Sequence, residues 1–322
     1  MMFRMVCRRI GAGLITLWVV SVIVFTGTEI LPGDVAEIML ANERTPETLR
    51  ALRDRLGLDR PPVIRYYEWL RNMISMDLGL SLAGRGTESG GVPIKVHLAT
   101  ALPNTLLLAG IVSMICIPAS VLFGLLAAMY PASLYDRLIT MLTMSMVCIP
   151  EFFIATLLVL IFSLELRVLP AISTLDNQST VTEIIKYMSL PVLSLSAVML
   201  AQMTRMTRAT VLNVMSSPYI EMAILKGVSP GRVIYRHALY NSVSPIVNIV
   251  ALNLAFLLSG VVIIENIFSY PGLGKLMVES VRVRDMPLVQ ACGMTICSTY
   301  LFLILMADII SIIFNPRLRY PK

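Results

Sequence analysis

Six apolar runs separated by short polar stretches set the pattern of this chain. They lie near Ile10–Leu31, Thr105–Tyr130, Leu138–Leu164, Leu190–Leu212, Ile246–Ile264 and Leu288–Phe314. A helix needs about 20 apolar residues to cross a bilayer, so each run predicts a transmembrane helix. Several runs exceed that length and must tilt, kink or extend beyond the lipid. Arg4, Arg8 and Arg9 precede the first run, as in a signal peptide. The run is longer than a signal-peptide core and no A-x-A site follows it, which predicts an uncleaved first span.

The sizeable polar region is Pro32–Thr100. Thr45-Pro46-Glu47 opens a helix whose end is expected at Gly57, with Leu49, Leu52 and Leu56 on one face. Pro61-Pro62 then breaks the chain before a second helical stretch, Val63–Met76, which carries Tyr66, Tyr67 and Trp69. The tract Ala83–Gly91 (AGRGTESGG) reads as a loop. Two roles stay open for this region: a small cap over the membrane block, or a surface that touches substrate.

Composition agrees with the pattern. Hydrophobic residues make up 57% of the chain, charged residues 14%, and mean hydropathy is +0.79. Soluble domains are about 45–50% apolar and about 25% charged, so the expected class is an all-α integral membrane protein with about six spans. Lys and Arg set its orientation. With the N-terminus inside, the inner segments hold twelve of them, including Arg137, Arg205, Arg208, Lys226, Arg232 and Arg236. The two shorter outer loops hold five: Arg167, Lys186, Lys275, Arg282 and Arg284. Both termini are therefore expected in the cytoplasm, and the net charge of +6 is a topology signal that needs no nucleic acid. The expected division is a first helix over 1–31, an external insert over 32–99, and a five-span core over 100–322.

Between the fourth and fifth runs lies a basic loop, Ser216–Pro245 (SSPYIEMAILKGVSPGRVIYRHALYNSVSP). Ser217-Pro218 and Ser229-Pro230 each place a hydroxyl at N-cap and a proline at the first helical position. Gly227 stands between them, where a helix end needs a residue tolerant of positive φ. The loop thus predicts two short helices projecting into the cytoplasm as a docking handle.

Ionisable residues within spans are costly and mark candidate sites. Glu151 follows Pro150 midway along the third run, and either lines an interior cavity or is a carboxyl hydrogen-bonded to a neighbouring helix or protonated. Asp308, near the inner end of the last run, is expected to pair with Arg205, Arg208 or a C-terminal arginine. Glu29 and Glu265 are expected to reach interfacial water at the outer span ends. Pro103, Pro118, Pro150, Pro191 and Pro245 interrupt or begin most spans, as lipid tolerates where other groups satisfy the freed carbonyls. Five cysteines fall in or beside apolar runs and predict neither a disulfide scaffold nor a zinc site. Methionines such as Met141, Met144 and Met203 read as apolar packing, and His97 and His237 form no cluster, so no metal or other cofactor is expected.

The chain carries no G-x-x-x-x-G-K-[ST]. In the nearest approach, around Gly274-Lys275, Ser269 replaces the first glycine and Leu276 the final hydroxyl. Energy for transport would come from another protein or from an ion gradient, and a gradient-driven carrier or channel working alone is the alternative.

The loop resembles the EAA motif of permease subunits in bacterial binding-protein-dependent ABC importers. Glu221-Met222-Ala223, then Gly227, then His237-Ala238-Leu239 closing a second helix, follow that motif. Met222 stands in place of the usual first alanine, and Tyr240 where many branches have proline. YIEMAILKG and HALYNSVSPIV are similar to the dipeptide, oligopeptide and nickel branch. So are LGLDRPPVIRYYEWL, DLGLSL (Asp77–Leu82), LPNTLLL (Leu102–Leu108), IFSYPGLGKL (Ile267–Leu276) and ADIISIIFNPRLR (Ala307–Arg319). The resemblance covers essentially the whole chain. It implies a type I importer (MetI-like) core with an extra N-terminal helix and an external insert, in the bacterial inner membrane. It implies a second homologous permease, two cytoplasmic ATP-binding subunits and a periplasmic solute-binding protein as partners. The coupling loop is then 213–245, with Tyr219, Glu221, Ala223, Ile224, Lys226 and Gly227 facing an ATPase subunit. Ile220 and Leu225 are expected to add apolar contact there, and Glu151 to line the substrate path.

Overall fold

The computed structural model describes residues 2–30, 45–56, 59–82, 91–174 and 180–314. Among them every regular element is helical, and β-type pairing is confined to an isolated bridge between Leu80 and Pro93. Lipid supplies no partner for backbone N–H and C=O groups, so an apolar chain closes its hydrogen bonds within each helix. In chain order the helices are α1 (Met2–Ile30), α2 (Pro46–Leu56), α3 (Pro62–Ile74), α4 (Ile94–Met129), α5 (Leu134–Cys148) and α6 (Glu151–Leu158), which runs on as π-helical turns over Val159–Glu165. They continue with α7 (Val181–Met215), α8 (Pro218–Leu225), α9 (Tyr240–Ile267), α10 (Leu273–Arg282) and α11 (Met286–Phe314). The expected helix end at Gly57, residues 83–90 of the glycine-rich tract, and Arg317 and Arg319 lie outside the described residues.

Among the described residues, five helices are long and apolar enough to cross a membrane: α1, α4, α7, α9 and α11. The third apolar run is not one straight helix. It divides into α5 and α6, bent by 98°, and counts as a sixth span only if the pair is taken together. Ile149 and Pro150 are both extended, at φ −93, ψ 127 and φ −60, ψ 142. A proline drives the residue before it out of helical ψ, and here both residues leave the helix. Pro103, Pro118, Pro191 and Pro245 instead stay inside helices. Helices also outrun the apolar runs, because caps rather than hydropathy end them. At the start of α7, Glu183 accepts the Thr180 N–H at 2.8 Å in a reciprocal capping box.

The chain packs as two units, Leu106–Tyr270 with the two chain ends, and Ile10–Thr105 with Pro271–Thr299. In the first, Leu108 and Val112 of α4, Leu190 and Met203 of α7, and Val261 and Ile264 of α9 share one buried core. Pro191 has no N–H, so the carbonyl of Tyr187 loses its helical partner. Ser173, fully buried, donates its hydroxyl to that carbonyl at 2.5 Å and its N–H to the Phe268 carbonyl at 2.8 Å. One serine thereby satisfies a proline break in α7 and the end of α9.

At the start of α5, Ser133 caps the Asp136 N–H, and the Asp136 carboxylate accepts the Ala132 N–H at 3.0 Å. The same buried carboxylate takes a two-pronged bond from Arg208 of α7, through Nε and through Nη2 at 2.8 Å. Arg208 is therefore not the partner of Asp308, which pairs with Arg9 at 3.3 Å. Glu265, expected in interfacial water, is fully buried.

In the second unit, Asn104 donates to the Pro271 carbonyl at 2.8 Å and Thr105 Oγ1 accepts the Leu273 N–H at 2.8 Å. These bonds join the LPNTLLL and YPGL segments. Buried Asp285 accepts from the Ser81 hydroxyl at 2.5 Å and the Leu82 N–H at 2.7 Å, pinning the DLGLSL segment, and caps the Leu288 N–H at 3.2 Å. Phe25 of α1 stacks with Tyr66 and Trp69 of α3, with centroids 5.4 and 5.6 Å away, and Ser21 meets the Tyr66 hydroxyl at 2.8 Å. Glu29, also expected in water, pairs with Arg65 at 2.5 Å.

Two stability predictions follow from these bonds. Ser173→Ala leaves the Tyr187 carbonyl buried without a donor and costs about 1–3 kcal/mol. Asp136→Ala strands Arg208 and costs more, on the order of 3–5 kcal/mol for a fully buried pair and less here because the arginine is partly exposed. Thermal unfolding in detergent should rank them in that order below the unaltered chain.

Candidate functional site

The loop after α7 forms a compact helical turn. Ser216 ends α7, Ser217 is extended at φ −79, ψ 147, and Pro218 opens α8, where a missing N–H costs nothing. The Ser217 hydroxyl does not cap α8 as expected. It turns back and donates to the Val214 carbonyl at 2.5 Å, which ties the start of α8 to the end of α7. Glu221 lies in the first turn, favourable to the helix dipole.

Gly227 adopts φ +74, as its position demands. The Val228 N–H reaches the Ala223 carbonyl at 3.2 Å and the Gly227 N–H reaches that of Ile224 at 2.9 Å. This pair of bonds is a Schellman closure, in which a left-handed residue turns the chain back over the last helical carbonyls. A Cβ at Gly227 would meet nothing within 4 Å, so the glycine answers to backbone geometry alone.

Inside the loop, Ile220, Val233 and Ala238 are buried, with Val214, Met215, Ala223 and Val228 packed against them. Ile220 is thus part of the loop's own core and is not available to a partner. Tyr219, Met222, Ile224 and Leu225 are exposed, Leu225 at 74%, and Glu221, Lys226 and Gly227 are exposed beside them. Met222, read in the sequence only as a departure from alanine, belongs to this apolar outer face. The second loop helix does not end at Leu239. A single turn at Pro230–Arg232 passes into π-helical turns over Val233–Leu239 and straight on into α9.

The second candidate is Glu151. The break at Pro150 makes it the first residue of α6, where it lines a narrow cleft with Met199 and Gln202 of α7 and Asn253 and Leu257 of α9. Asn253 donates to the Ile249 carbonyl at 2.8 Å. Gly260 of α9 faces the same carboxylate, and a Cβ there would overlap Glu151 Oε2. No sequence pattern marked Gly260 or the two amides, because each sits singly within an apolar run. The loop after α7 and the Glu151 cleft are separate candidate sites, built on different segments of one packed unit.

A set of span-length apolar helices, with an apolar-faced helical turn between two of them, defines a multi-span membrane protein. The chain matches the family described as binding-protein-dependent transport system inner membrane component over residues 120–320, and the N-terminal region of such components over residues 2–84. It belongs to that family. The glutathione transport system permease protein GsiC of Escherichia coli (strain K12) is 33% identical over 320 residues, covering 99% of this chain and 100% of its own length. GsiC of Shigella dysenteriae serotype 1 matches equally, and that of Shigella flexneri serotype 5b is 32% identical over the same span. The chain is therefore an inner membrane component of a binding-protein-dependent transport system.

The Schellman closure yields a graded prediction. Gly227→Ala costs roughly 1 kcal/mol of local stability, because only the left-handed backbone is penalised. Asn is milder and Val more severe. Hydrogen exchange at the Val228 amide should accelerate in that order, about fivefold for alanine.

Proposed function

We propose that this chain is the permease subunit of an ABC importer that moves a small peptide or similar polar solute inward. The reading is carried by the outer face of α8, apolar and held from behind by its own core. The same chain has no nucleotide-binding motif, so ATP chemistry falls to separate subunits. The relatives named for glutathione transport support a cargo of the small-peptide class.

On this reading Tyr219, Glu221, Ala223, Ile224, Lys226 and Gly227 form the coupling element against a cytoplasmic ATPase subunit. Tyr219, Met222, Ile224 and Leu225 supply the apolar contact, Ala223 lets the helix pack closely, and Gly227 closes it. A second homologous permease completes the transmembrane path, a second ATPase subunit engages that permease, and a periplasmic binding protein delivers solute. Both termini lie in the cytoplasm, and residues 32–99 form the external insert. ATP binding draws the ATPase subunits together and pulls on the loop. The pull passes through the continuous helix 230–267 into the bundle and turns it from inward-open to outward-open. Hydrolysis resets it.

The test is Gly227→Val in the assembled importer, with ATP-dependent uptake and ATPase attachment both measured. Uptake should fall at least tenfold, or attachment should weaken, while the permease stays folded. Unchanged uptake together with unchanged attachment refutes the coupling role.

A further inference from the structure

Glu151 faces the middle of two spans, since its cleft neighbours Met199 and Gln202 lie halfway along α7, and Asn253 and Leu257 halfway along α9. Among the described residues it has no hydrogen-bond or ion-pair partner. An ionised carboxylate at that depth costs several kcal/mol, so Glu151 takes up a proton when alone and is ionised only when a compensating group is beside it. Gly260 leaves room for the carboxylate where it stands, and a Cβ there would push the Glu151 side chain aside.

The shape of the cleft says what that group is. It leaves about 10 Å³, the room of one water molecule, too little for a peptide and enough for the tip of one. An ammonium group has that size, carries the opposite charge and offers three donors. The polar side chains that line the cleft are the Glu151 carboxylate and the amides of Gln202 and Asn253, each of which carries an acceptor oxygen. An anion would be repelled, and an apolar group would leave the carboxylate uncompensated. Phe256 of α9, itself a lining residue of the cleft, and Leu252 one turn away are 61% and 54% exposed, an apolar surface along which the remainder of a cargo can lie.

We propose that Glu151, with Gln202 and Asn253, is a station on the translocation path that takes the side-chain ammonium group of a cationic peptide cargo. The inference rests on the importer reading and names the class of cargo it favours. A station must bind weakly enough to release, and a single carboxylate in a half-open cleft meets that demand.

The experiment uses the complete importer in proteoliposomes and compares ATP-dependent uptake of alanyl-lysine and alanyl-glutamate. The binding protein is the same throughout, so its own preference cancels when ratios are compared between variants. Glu151→Gln should lower the lysine-to-glutamate ratio about tenfold, the loss of one close charge interaction. Gln202→Glu adds a carboxylate to the cleft and should raise the ratio, which keeps the test decisive if the first variant assembles poorly. A ratio unchanged in either assembled variant, or equal loss of both peptides, overturns the proposal and leaves Glu151 a packing role. Absence of ATP-dependent uptake of both peptides by an unaltered importer that holds its ATPase subunits would overturn the cationic-peptide proposal alone, whereas failure of ATPase subunits to attach would remove the importer reading.

Discussion

A carbonyl freed inside an apolar block must find its donor within the protein, because lipid has none to offer. Much of the first packed unit follows from that constraint. Pro191 breaks one bond in α7, and the chain answers by bringing Ser173 from the preceding loop to the exposed Tyr187 carbonyl. The same serine closes the end of α9 at Phe268, so one residue fixes where a loop and two long helices meet. Charge obeys the same rule. Asp136 lies buried because Arg208, Ala132 and Ser133 surround it with hydrogen bonds.

Much of this architecture could be read from the sequence, and the reasons for success and failure are physical. Span-length runs are visible because hydropathy acts along a single helix. The Schellman turn at Gly227 was legible because a helix stop depends on residues next to each other. What escaped was pairing across the chain. Asp308 met Arg9 and Arg208 met Asp136, although charge alone allowed other matches. Glu265 looked interfacial from its place in the run, yet the packed unit buries it. Prolines were equally ambiguous. Four of those read as span breaks remain within helices, and Pro150 breaks its span because Ile149 also turns extended.

The functional sites divide in the same way. The outer face of α8 was foreseeable in position, since the proline that opens the helix and the glycine that closes it are local. Which side chains point outward was not, because burial of Ile220 depends on Val233 and Ala238, a turn and more downstream. Glu151 stood out as a charge in an apolar run. Its setting did not, because Gln202, Asn253 and Gly260 come from other helices and carry no motif of their own.

The internal core of the loop has a consequence for how such a protein can change over time. Ile220, Val233 and Ala238 hold α8 from behind, and Gly227 closes its end through backbone bonds alone. Tyr219, Met222, Ile224 and Leu225 then contribute little to holding the loop together. On the proposed docking role, substitutions among them can retune which surface the loop recognises without unmaking the loop that presents it. The same shape can be inherited unchanged while its choice of counterpart drifts.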